Sequence, residues 1–147
     1  MKSGNKTIVF AAVLIALAAI AVPYFSTVGF VTASPYDFAV AGLDMPVFVK
    51  AGLESTFTAT LENLGKTSAT AVTYSYEVLN PSGNRVYYNE GVTDLLANSK
   101  ITIPMKIDEL DDGTHTFRIN IDPANSFAES DETNNGWDFQ FAVPYGI

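Results

Sequence analysis

Apolar residues recur at every second position through most of the chain after Pro35, in five rows separated by turn-forming residues. A period of two places successive side chains on opposite faces of a β-strand, whereas an amphipathic helix has a period of about 3.6. Each row therefore predicts a strand with one face toward a core and one toward solvent. The rows lie at 57–61, 72–78, 101–107, 115–121 and 137–143.

Clusters of Gly, Pro, Asn and Asp stand between these rows and predict tight turns. They lie at 62–65, 80–84, 97–99 and 111–113. With shorter strands expected at 36–43, 47–49 and 86–89, the total is about seven or eight strands. The pattern predicts an all-β fold, an immunoglobulin-like antiparallel β-sandwich, as one domain at 34–147.

A segment of a different kind precedes this domain, at residues 1–33. No charged residue occurs between Thr7 and Val31, and residues 8–22 are apolar throughout. That length meets the roughly 20 residues that a transmembrane helix needs. Lys2 and Lys6 precede it, which by the positive-inside rule keeps the N-terminus in the cytoplasm. We therefore expect a signal-anchor: one transmembrane helix, in a single-pass protein of the cell membrane, with the domain outside.

Two alternatives remain open for this segment. Val31-Thr32-Ala33 offers the small residues that signal peptidase requires, as in a cleaved signal peptide. It lies farther from the end of the apolar run than a typical cleavage site does. Lys2-Ser3-Gly4 is faintly similar to a prepilin cleavage site, which would make the helix the core of a pilus-like filament. Lys6 would be awkward in such a core.

Charge is divided unevenly along the chain. Eight Lys and Arg stand against sixteen Asp and Glu, a net charge of −8, and every acidic residue lies at or after Asp37. Such a surface repels phosphates, so we expect no nucleic-acid partner. The expected partners are membrane lipid and other membrane or envelope proteins, in a hetero- or homo-oligomer.

Residues for catalysis are scarce, because the chain has one His and no Cys. Acid–base and nucleophilic catalysis need a base within reach of a nucleophile. His115 shares a strand face with Phe117 and Ile119, so we expect it to be packed. No Gly-rich phosphate loop or HExxH pattern occurs. The sequence predicts no catalytic residue, no enzyme activity and no cofactor apart from a candidate calcium ion.

Oxygen-bearing side chains are concentrated between residues 122 and 135, and such oxygens are what Ca²⁺ binds. The candidate ligands are Asp122, Asn125, Glu129, Asp131 and Asn134. Their spacing is not that of an EF-hand. The favoured interpretation is that Asp122, Asn125 and Asn134 cap turns while the acids point into solvent. A second acidic segment, 108–112, is interpreted as a solvated turn.

Several short motifs resemble those of the CARDB domain, a cell-adhesion-related module of bacterial and archaeal surface proteins. The most specific stretch runs from Asp122 to Asn135, after one predicted strand and before the last. The other matching elements are Asp37-Phe38-Ala39-Val40, Ala51-Gly52, Leu61-Glu62-Asn63-Leu64-Gly65, Leu96-Ala97-Asn98-Ser99 and Asp112-Gly113-Thr114-His115-Thr116-Phe117. The resemblance implies a sandwich used for adhesion or assembly, and it identifies no ligand.

Three functions are consistent with these features. The first is a non-catalytic binding and assembly module at the cell surface, which contacts other envelope proteins. The second is an accessory single-pass subunit of a membrane enzyme complex, whose Ala-rich helix would allow close helix packing. The third is a filament subunit.

Overall fold

The computed structural model describes residues 34–145, which form seven strands in two antiparallel sheets. The strands are β1 (Phe38–Asp44), β2 (Ser55–Asn63), β3 (Ala69–Leu79), β4 (Arg85–Leu95), β5 (Ser99–Ile107), β6 (Gly113–Ile121) and β7 (Gly136–Val143). One sheet has the order β1-β2-β5 and the other the order β4-β3-β6-β7. The predicted all-β fold with antiparallel pairing is confirmed.

The helix predicted at 1–33 lies outside the described residues. Among residues 34–145, no helix has the length and apolar character to cross a membrane.

The core lies between the two sheets and is built from the alternating residues. In β2 and β6 every second residue is buried, with more exposed residues between them, apart from Gly113 at the start of β6. Phe57 of β2 stacks on Phe117 of β6 across the sheets, with ring centroids 5.1 Å apart and planes 4° from parallel. Phe141 of β7 meets Phe57 edge-on at 5.3 Å. Each such buried side chain stabilises the fold by about 1.5–3 kcal/mol.

The strand predicted at 47–49 is wrong, because these residues belong to the loop between β1 and β2. Val49 is buried at 5% exposure, whereas Val47 and Phe48 are 89% and 75% exposed. Pro46 has no N–H to donate to a neighbouring strand. The loop is held instead by the Gly52 N–H, which donates to the Leu110 carbonyl at 3.0 Å. The short strand predicted at 86–89 is part of the longer β4.

The sandwich has two distinct ends. Residues 122–135, which we call the acidic loop, connect β6 to β7 at the end where Ser34 begins the described chain, and the Ser34 hydroxyl donates to the Ala128 carbonyl there. We call this the loop end. We call the opposite end the hairpin end, and it carries residues 45–54, 80–84 and 108–112. Gly113, the first residue of β6, and Val143, the last residue of β7, are paired there.

Candidate functional site

Asp122, the first residue of the acidic loop, organises the turn that leaves β6. Its carboxylate oxygens accept hydrogen bonds from the backbone N–H groups of Ser126 at 3.0 Å and Phe127 at 2.8 Å. The side chain is 1% exposed, and the backbone has a φ of +44°. Asp tolerates this left-handed conformation better than most residues. Asp122 therefore caps a turn, as the favoured interpretation predicted, and both its oxygens are used in doing so.

Glu129 ties the acidic loop to the first strand. One carboxylate oxygen accepts from the backbone N–H of Phe38, and the other accepts from the Asn135 side-chain amide at 2.8 Å. The Glu129 N–H donates to the Glu132 carboxylate at 3.1 Å. Burial raises the pKa of Glu129 to about 7, even though the bonds from Phe38 and Asn135 favour its charged form. This acid thus does not point into solvent.

Asn134 and Asn135 hold the backbones of two strands. The Asn134 carbonyl accepts from the Val40 N–H at 3.1 Å, and the Asn135 carbonyl accepts from the Ile121 N–H at 2.8 Å. The Asn134 amide also donates to the Asp37 carboxylate at 2.9 Å. In both Asn side chains the Oδ1 atom is buried and has no partner within the described residues. The Asn135 Nδ2 atom lies between two carboxylates, at 2.8 Å from Glu129 and 3.3 Å from Glu132.

The remaining predicted ligands lie at the surface. The Asp131 carboxylate accepts from the backbone N–H and the hydroxyl of Thr133, at 2.8 and 2.6 Å, and these bonds lower the pKa of Asp131. Asn125 is exposed, has a φ of +48°, and donates its backbone N–H to the Asp122 carbonyl at 2.9 Å. Both residues stabilise local turns.

A metal site needs several donor groups that converge on one point. Across residues 34–145, no three or more His, Cys, Asp or Glu side chains converge so that they could hold a metal ion. A calcium site can also be built from amide and backbone oxygens, two of which are unpartnered here. Calcium binding by the five predicted ligands therefore stays a prediction.

Sequence reasoning missed the residues that receive the acidic loop. Asp37 accepts from the Ser130 hydroxyl at 2.9 Å as well as from Asn134. Phe127 packs edge-on against Tyr36 and Phe38, with ring centroids 5.1 and 5.4 Å apart. These contacts join residues about ninety positions apart in the chain, so no local sequence pattern predicts them.

His115, the single histidine, is packed as predicted. It is 2% exposed, and its ring lies 5.8 Å from that of Phe141. Its Nε2 atom is 2.9 Å from the Asp111 carbonyl oxygen, which can only accept, so Nε2 donates this hydrogen bond. The imidazole helps to fasten the turn before β6.

Comparison with known proteins identifies the same domain. The CARDB family model matches residues 35–138. The CARDB domain of a Pyrococcus furiosus protein, solved in complex with di-metal ions, superposes with a TM-score of 0.67 and 17% identity. That match covers 78% of this chain and 99% of the Pyrococcus domain.

A domain of a protein from Methanosarcina acetivorans named for the cell surface has a TM-score of 0.59 and 26% identity. This match covers 74% of the present chain and 91% of the Methanosarcina domain. A β-glucuronidase of glycoside hydrolase family 2 also shares the fold, with a TM-score of 0.56 and 8% identity, over 12% of its own length. No curated protein matches the chain significantly.

Proposed function

Because this chain belongs to the CARDB family, we propose that it is a non-catalytic binding and assembly module displayed outside the cell. The observation that carries the proposal is the family match over residues 35–138, together with the likeness to a domain named for the cell surface. The chemistry of the acidic loop agrees with it. Asp122 and Glu129 are bonded to backbone N–H groups of the domain itself, so their oxygens are occupied by the fold.

The proposed attachment to the membrane is through residues 1–33, as a single transmembrane helix with the N-terminus in the cytoplasm. Lys2 and Lys6 precede the uncharged stretch, which supports this orientation by the positive-inside rule. The described chain begins at Ser34, at the loop end. Since β2 has nine residues, the hairpin end of the domain lies about 30 Å from the loop end.

The proposed partner is another membrane or envelope protein. Its contact would fall on the outer surfaces, where large apolar side chains are exposed singly or in small groups. Val47 and Phe48 at the hairpin end are 89% and 75% exposed, and Val92 on β4 is 62% exposed. Contiguous exposed apolar groups mark interaction sites, and Val47 and Phe48 are neighbours in the chain.

Protease treatment of intact cells tests the location. A chain tagged at its C-terminus should lose the tag to an added protease before lysis, while a cytoplasmic marker stays intact. Persistence of the tag until lysis would contradict display outside the cell.

Gentle detergent extraction, native electrophoresis and mass spectrometry then test the function. Co-migration with other surface proteins supports the binding module. Co-migration with a redox or transport enzyme would instead favour the accessory subunit, and a sheared filament would favour the pilus-like alternative.

A further inference from the structure

The two open sheets of the sandwich have four edge strands, and three of them carry features that hinder pairing with another strand. Pro104 interrupts the donors of β5, which also carries Lys100 and Lys106. The pairing of β1 is irregular between Val40 and Gly42, and its edge is covered where the Val40 N–H donates to Asn134.

The edge strand of the other sheet, β4, is also protected. It carries Arg85, Glu90 and Asp94, and its partner β3 pairs with it irregularly near both ends. Charged residues and irregular pairing both discourage edge-to-edge association.

The fourth edge, β7, has none of these devices. Its pairing with β6 is regular from Gly136 to Val143, and the strand contains no Pro, Lys or Arg. Asp138 is its single charged residue, and the Arg118 guanidinium neutralises it with two contacts of 2.9 Å. Within residues 34–145, no hydrogen bond outside the sheet reaches the backbone of 137–143. The edge is therefore straight, neutral and open.

Two aromatic side chains beside this edge are incompletely covered. Trp137 and Phe139 pair with Ile119 and Phe117, both fully buried, so they belong to the inner face of the sheet. They are nevertheless 43% and 38% exposed. Phe141 and Val143, on the same face of β7, are only 5% and 2% exposed, so the uncovered part of this face is the first half of the strand.

We propose that β7 is the pairing edge for a second copy of this chain, joined antiparallel about a two-fold axis through Phe139. In an antiparallel pair, directly opposed residues point to the same face of the sheet. At the two-fold axis a residue must therefore lie directly opposite the same residue of the second copy. Centring on Asp138 would oppose two carboxylates. Centring on Gln140 would place Gly136 opposite Pro144, which has no N–H to donate.

Centring on Phe139 avoids both difficulties. It sets the two Phe139 rings against each other, Trp137 against Phe141 of the second copy, and Asp138 against Gln140 of the second copy. The half-exposed Phe139 rings of the two copies thus cover each other.

The register and the closure of the interface favour a second copy as the occupant. The chain has a net charge of −8, so two copies repel each other over most of their surface. The β7 edge is a place where they approach without unpaired like charges. A two-fold interface is closed, and the other three edges are protected, so association ends at the dimer. This inference rests on the sheet alone and holds wherever the chain resides in the cell.

Charge substitutions at Gln140 test the register in the full-length chain. Gln140 is exposed and pairs with Thr116, so neither variant disturbs the core. Gln140→Lys places two new cations opposite Asp138 across the axis, whereas Gln140→Glu places two new anions there. We expect the dimer dissociation constant to fall about threefold or more for Gln140→Lys and to rise about as much for Gln140→Glu. Sedimentation equilibrium in density-matched detergent measures both.

Val92→Lys and Val92→Glu are the matched controls, because they change the net charge by the same amounts as the Gln140 variants but on β4. They should change the dimer dissociation constant far less. A monomer at all concentrations would overturn the proposal. So would a dimer whose dissociation constant is unchanged by both Gln140 substitutions. Co-purification of a different protein whose binding is lost in Gln140→Glu would also overturn it, since another partner would then occupy the edge.

Cross-linking gives an independent readout, because the chain has no cysteine. Phe139→Cys should form a disulfide-linked dimer under mild oxidation, since the axis brings the two sulfur atoms together. Val92→Cys, at an exposed position on another edge strand, should form no disulfide-linked dimer, because β4 does not lie at the two-fold axis. Equal cross-linking of the two variants contradicts the pairing.

Discussion

Four carboxylates lie within residues 108–112 and four within the acidic loop, at opposite ends of the sandwich. At the hairpin end all four acidic residues are exposed, and the backbone makes the contacts: the carbonyls of Leu110 and Asp111 bond to Gly52 and His115. At the loop end Asp122 and Glu129 are drawn inward and bond to backbone N–H groups. The number of acidic residues in a segment therefore does not indicate whether their carboxylates stabilise the fold. The two segments differ in the hydrogen-bond donors that surround each carboxylate.

The largest expected contrast between the two segments is in stability. Asp122→Ala removes the acceptors of two backbone N–H groups and leaves Ala at a φ of +44°. We expect a loss of about 2–4 kcal/mol in the free energy of unfolding. Asp112→Ala in the exposed turn should change it by less than about 0.5 kcal/mol. Urea denaturation of both variants measures the contrast, and similar losses would remove the distinction between the segments.

A smaller contrast is expected in the dependence of stability on pH. The folded pKa of Glu129 is raised to about 7 from an ordinary 4.5, so between these values the folded state keeps a proton that the unfolded state has lost. Its contribution is fully present below the unfolded pKa and is lost as pH rises through about 7. The domain should therefore lose stability between pH 5 and about pH 7.5.

Glu129→Gln should flatten this slope. The Asn135 amide can turn its unpartnered Oδ1 atom toward the new donor, so folding should survive. Asp131→Asn is the control. The pKa of Asp131 is lowered, so this residue affects the pH dependence of stability only at acidic pH, and the slope near neutral pH should stay unchanged. Chemical denaturation at a series of pH values gives the slopes, and an unchanged slope in Glu129→Gln would show that another group is responsible.

The smallest effect is expected from calcium removal. An ion at the acidic loop would have to compete with the backbone donors that now hold Asp122 and Glu129. We expect EGTA to shift the melting temperature of the chain by less than about 2 °C. A shift of several degrees, abolished in Glu129→Gln but not in Asp112→Ala, would establish the predicted ion site.

β2 and β6 were predictable because the two faces of each strand differ sharply, as in the buried row from His115 to Ile121. The turn at Asp122 was predictable because its bonds reach only four and five residues ahead. The bond from Phe38 to Glu129 spans 91 residues and depends on the final packing. The exposure of Trp137 also depends on packing, since Phe141, on the same face of the same strand, is buried.

Hydrogen exchange at the amides of Phe38 and Val40 tests most directly whether the acidic loop serves the fold. Both N–H groups donate into this loop, to Glu129 and to the Asn134 carbonyl. The structure predicts strong protection of both amides, equal in EGTA and in calcium, with protection of Phe38 reduced in Glu129→Ala. Rapid exchange in EGTA that slows only when calcium is added would contradict it, because the ion would then be what closes the loop onto β1.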